Sequence, residues 1–105
     1  MDIFNIKTPP SRNAMVDITS KVQEVVSQSG VRSGICTVFI PHTTAAVTIN
    51  ENADPDVVSD MIKGLSKIVP YNDNYAHMEG NSDAHIKASI FGFSQQVIIE
   101  EGRLV

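Results

Sequence analysis

Two prolines fix one helix before any other element is read. Pro55 and Pro70 bracket the stretch "PDVVSDMIKGLSKIVP". Asp54 suits the N-cap and Pro55 the first helical position, where a missing N–H costs nothing. Between them Val57, Val58, Met61, Ile62, Leu65 and Ile68 recur at helical spacing and make an apolar stripe. Pro70 cannot continue the run, so the helix ends before it.

The remaining elements are read around that helix. A second helix is expected from about Ile18 to Ser29, because Ile18, Val22, Val25 and Val26 share a face. Asp17 or Thr19 would cap its start, and Gly30 sits where a helix stops. "FNI" at 4–6 reads as a short strand closed by Pro9 and Pro10. "ICTVFI" at 35–40 is β-branched and aromatic, and reads as a buried strand. "TAAVTIN" at 44–50 alternates, with Ala45, Val47 and Ile49 on one side. "HIKASIF" at 85–91 alternates too, turning Ile86, Ala88 and Ile90 inward and His85, Lys87 and Ser89 outward. "QQVIIEE" is a further strand, Gly102 marks a turn, and "RLV" begins a strand. Tyr71 to Ala84 reads as a polar connection, and connections of that size are often functional. The sum is a β-rich chain with two helices set between strands.

At 105 residues the default is one domain over 1–105. Net charge is −4, and the eight Lys and Arg residues are scattered, which argues against a nucleic-acid partner. Cys36 is the only cysteine, so neither an intrachain disulfide nor a cysteine-rich zinc module is available. It lies in an apolar run and reads as a small buried hydrophobe. No stretch approaches the roughly 20 apolar residues of a membrane span. The start lacks a signal-peptide layout. A cytoplasmic location without a membrane partner is the expectation.

Three histidines stand at edges of expected structure: His42, His77 and His85. Imidazole is a ligand for zinc and related metals, and the side chain best suited to proton transfer near neutral pH. Their spacings match no short metal motif. Glu51 falls on the apolar side of its strand, where a carboxylate is either exposed at the end or held with a raised pKa for acid–base work. Asp54 and Asp56 need no such reading, because both suit a helix start. Asp83 lies two residues before His85. In one extended stretch the pair would share a side, and Asp83 would orient the imidazole; otherwise it is a turn aspartate. Gly80, Asn81 and Ser82 form either a turn or a nest of N–H groups that receives an anion.

"FIPHTTAAVTINENADPDV" and "HMEGNSDAHIKASIFG" together resemble the two signature stretches of the YjbQ family, also called secondary thiamine-phosphate synthases. The resemblance continues to "GRLV" and covers nearly the whole chain. It implies an α+β, β-rich fold: a jelly-roll-like β-sandwich with two helices that assembles as a homotrimer. Family members continue past "GRLV" with a "GTWQ"-like stretch, so C-terminal strands are expected to be missing here. The implied activity joins a hydroxymethylpyrimidine diphosphate to a thiazole phosphate and releases pyrophosphate. Carried over by position, the resemblance selects His42, Glu51, His77 and His85 as catalytic. It selects Thr43, Asn50, Gly80, Asn81, Ser82 and Asp83 as substrate-binding. A divalent metal, Mg or Zn, would be held by His42, His77 and His85, and the partner would be a small phosphorylated molecule. The alternatives are a trimeric metal- or small-anion-binding protein without catalysis, and a metal-dependent hydrolase using a histidine-bound water.

Overall fold

The computed structural model describes residues 1–11 and 13–105. Among them lie three helices and three strands: α1 Thr19–Ser29, β1 Ser33–Phe39, α2 Pro55–Ile68, α3 Ser82–Phe91, β2 Ser94–Glu100 and β3 Arg103–Leu104. The fold is small α+β, with one antiparallel sheet ordered β1-β2-β3. Among the described residues no helix is long and apolar enough to cross a membrane. The chain divides into two compact units, Met1–Cys36 with Gln96–Val105, and Thr37–Gln95.

In the first unit α1 follows its pattern. Val22 and Val26 are buried, and Gly30 closes the helix in the left-handed region at φ 74°. Ile18 occupies the N-cap, and the Asp17 carboxylate accepts the Thr19 amide at 2.9 Å. "FNI" forms no strand, and Phe4 and Ile6 are exposed. Ile99 of β2 is buried. β2 turns into β3 through Glu101 and Gly102, at φ 53° and 78°, the signs a two-residue hairpin turn of the right twist requires. The register sets Ile99 opposite Leu104 and Glu100 opposite Arg103.

α1 packs on β3, and one side chain clasps them. The Gln23 amide donates to the Gly102 carbonyl at 3.0 Å, and its oxygen accepts the Leu104 amide at 2.9 Å. The sequence reading did not single out Gln23.

In the second unit α2 keeps its expected limits. The Asp54 side chain accepts the Asp56 amide at 2.9 Å, and Pro55 stands at the start. The stripe is half-buried through Leu65, while Ile68 is 75% exposed. "TAAVTIN" does not form a strand. The Val47 amide donates to the Gly92 carbonyl and its carbonyl accepts from the Gln95 side chain, so no ladder of backbone partners runs along the stretch. Ala46 and Val47, neighbours in sequence, are half-buried, which strict alternation does not allow.

The largest correction is at 85–91, which is not a strand but most of α3. A strand would bury Ile86 and Ile90; they are 40% and 60% exposed. The buried positions are Asp83, Lys87 and Ala88, four and five residues apart as a helix requires, with Ser82, Ala84, His85 and Phe91 half-covered. Two expected helices are therefore three.

Candidate functional site

The segment between α2 and α3 forms a polar cavity of about 310 Å³. Residues 71–75 line it together with His77, Gly80 and Ser82. Pro70 ends α2 and releases the chain into this segment. The Tyr75 hydroxyl donates to the Pro70 carbonyl and ties the turn back to its origin. Gly80 holds φ 78°, a region that favours glycine, and a Cβ there would stand 3.8 Å from the Tyr71 hydroxyl. Ser82 then opens α3.

Loss of water around the Tyr75 hydroxyl raises its pKa above the usual value near 10, and the carboxylates of Asp73 and Asp83 add to the effect. The unfolded chain therefore releases this proton from about pH 10 while the folded chain retains it. Stability from this group is complete below that pH and is lost as pH rises through the folded value. Tyr75→Phe is expected to flatten the alkaline limb, so its urea midpoint falls less than the parent's above pH 10. Parallel limbs in the two proteins would remove the assignment.

His77 and His85 meet. Their ring centroids are 5.7 Å apart in an edge-to-face arrangement, and His77 Nε2 lies 4.0 Å from the Glu79 carboxylate. His42 lines another cavity, a shallow apolar one of about 550 Å³, with Thr43, Pro41, Phe39 and Phe93. The three imidazoles do not converge within the chain. Among the described residues no group of three or more His, Cys, Asp or Glu is placed to hold a metal ion, so the donor set expected for Mg or Zn is not assembled.

Glu51 and Asn50 line neither cavity. Asn50 accepts the Glu51 amide at 2.7 Å and donates to Met61 sulfur at 3.5 Å, and Glu51 is exposed. Asp83 does not share a side with His85, because two residues on a helix are about 200° apart. Its carboxylate instead accepts from the Lys87 ammonium at 3.0 Å, with both side chains buried. Gly80 and Ser82 line the polar cavity, whereas Asn81 between them does not. The wall formed by residues 71–75 was legible only as an unusually long polar connection.

The family model described as UPF0047 protein YjbQ-like matches residues 3–105. UPF0047 protein MJ1081 of Methanocaldococcus jannaschii is 51% identical over 95% of this chain and 72% of its own length. UPF0047 protein YugU of Bacillus subtilis is 48% identical over 97% of this chain and 77% of its own. A crystal structure of an uncharacterised YjbQ/UPF0047 protein from Clostridium acetobutylicum superposes with a TM-score of 0.90 at 54% identity, covering 94% of this chain and 76% of that one. A protein of unknown function from Sulfolobus solfataricus gives 0.85 at 30% identity, covering 90% and 70%. These relatives carry no activity in their names, and one is described as of unknown function. The expectation that this chain joins a pyrimidine diphosphate to a thiazole phosphate is therefore withdrawn.

Proposed function

This chain belongs to the UPF0047 YjbQ-like family, and from that premise we propose that its polar cavity binds a small phosphorylated molecule. The observation that carries the reading is the cavity's donor set. His77 and Ser82 line one 310 Å³ space, and Ser82 opens α3 with the helix's first amides. Those amides precede the helix's own hydrogen bonds, and a helix start favours negative charge. The volume suits a small molecule. The segment is anchored at Tyr75 and at Asp83, so the donors are largely in place before a ligand arrives.

Titrating the chain with ethyl phosphate while following amide resonances tests this. Shifts are expected to concentrate at residues 71–85. Ser82→Ala and His77→Ala are each expected to weaken binding about tenfold, the loss of one charge-assisted hydrogen bond. Shifts centred on His42, or none, would remove the reading.

Three further parts of the reading are proposals of the same kind. A homotrimer is supported by apolar side chains left exposed at Phe39, Ile86 and Ile90, and a sedimentation run showing only monomer would end it. A jelly-roll-like sandwich is supported by the relatives' greater length, and a relative's crystal structure without a second packed sheet would dismiss it. A cytoplasmic location is carried over from the sequence reading, and fractionation finding the protein outside the cytoplasm would exclude it.

A further inference from the structure

A phosphoryl group uses only part of the polar cavity. The donors argued for it are His77, Ser82 and the start of α3, and such a group alone leaves most of the 310 Å³ unfilled. Apart from Gly80, the rest of the lining is Tyr71, Asn72, Asp73, Asn74 and Tyr75, with no aliphatic side chain among them. A cavity that takes a small organic molecule is ordinarily lined mostly by apolar side chains. This one is polar, so the remainder of its occupant is polar too.

Charge and hydrogen-bonding capacity narrow the chemistry further. Loss of water and then the Asp73 carboxylate raise the Tyr75 pKa, so that carboxylate acts on the cavity lining. It repels a second anionic group and accepts from a donor. Asn72 and Asn74 each carry an amide that both donates and accepts. The Tyr75 proton is committed to the Pro70 carbonyl, which leaves the phenol oxygen as an acceptor. The Tyr71 hydroxyl stands 3.8 Å from where a Gly80 Cβ would be, next to a residue that lines the same space. An ammonium group would serve the carboxylate but has no lone pair for the amides. A hydroxyl both donates and accepts, so several hydroxyls serve the whole set.

We propose that the molecule bound in this cavity is a small phosphorylated polyol, with the chemistry of a sugar monophosphate. Its hydroxyls are held by Asn72, Asp73 and Asn74, and its phosphoryl group by Ser82 and His77. The inference rests on the phosphoryl-binding reading given above and adds the hydroxyls to it.

Glycerol phosphate and propyl phosphate share a carbon chain and differ only in hydroxyls. Calorimetric titration of the full chain is expected to show glycerol phosphate binding about tenfold more tightly, the gain from one charge-assisted hydrogen bond. Phosphoethanolamine is expected to bind more weakly than glycerol phosphate. Asp73→Ala is expected to bring the tenfold ratio close to one. Asn74→Gly is expected to lower it about threefold, the loss of a neutral hydrogen bond. Asn74 holds φ 52°, which glycine adopts freely, so that variant loses the amide without straining the turn. Both residues are exposed, so neither substitution disturbs buried packing. Equal affinity for glycerol phosphate and propyl phosphate in the parent overturns the polyol while leaving the phosphoryl reading intact, as does tighter binding of phosphoethanolamine. A ratio unchanged by either substitution overturns that residue's part in holding the hydroxyls. Binding of no probe at residues 71–85 overturns both readings together.

Discussion

Lys87→Met is expected to destabilise the chain by about 3 kcal/mol, the low end for breaking a buried ion pair by removing one member. Asp83 and Lys87 are 3% and 9% exposed, and their charged atoms are 3.0 Å apart. The methionine fills the same volume, so little packing is lost. What remains is a carboxylate held away from water beside a helix start, without its cation. Asp83→Leu combined with Lys87→Met should recover most of the loss, because an apolar pair of similar volume is often neutral or better. Urea unfolding of the parent, the single variant and the double variant measures both effects. A single variant within 0.5 kcal/mol of the parent, an ordinary surface effect, would show the pair to be well hydrated in solution.

That pair also explains why α3 escaped sequence reading. Its inward face is Asp83, Ala84, Lys87, Ala88 and Phe91, mostly polar or small. Its outward face carries Ile86 and Ile90. Apolar residues at 86, 88 and 90 satisfy a period of two, so hydropathy alone chooses a strand. Only the burial of a charged pair four residues apart reverses the choice, and pairing is invisible to a hydropathy pattern. α2 was legible for the opposite reason. Asp54, Pro55 and Pro70 act locally, and its apolar stripe turns the way the chain turns. The site divides along the same line. Gly80, Asn81 and Ser82 could be grouped because they adjoin in sequence. The meeting of His77 with His85 depends on α3 being a helix, and the separation of His42 depends on where β1 ends.

Gln23→Leu is expected to cost about 2–3 kcal/mol, although the substituted residue lies half-exposed on a helix. β3 is only two residues long and has β2 on one side. The Gln23 side chain serves the Gly102 carbonyl and the Leu104 amide, as a neighbouring strand would. Leucine keeps the helix propensity and the bulk but leaves one acceptor and one donor under side-chain cover without partners, each at about 1–3 kcal/mol when fully dry. Gln23→Glu separates the two bonds. A carboxylate still accepts the Leu104 amide but cannot donate to Gly102, so its loss should fall between the parent and the leucine variant. Hydrogen exchange locates the effect. The Leu104 amide is expected to lose protection most in Gln23→Leu, while amides of α2 keep theirs relative to the global stability. If Leu104 exchanges alike in the leucine variant and the parent, the clasp contributes nothing and β3 is held by its hairpin alone.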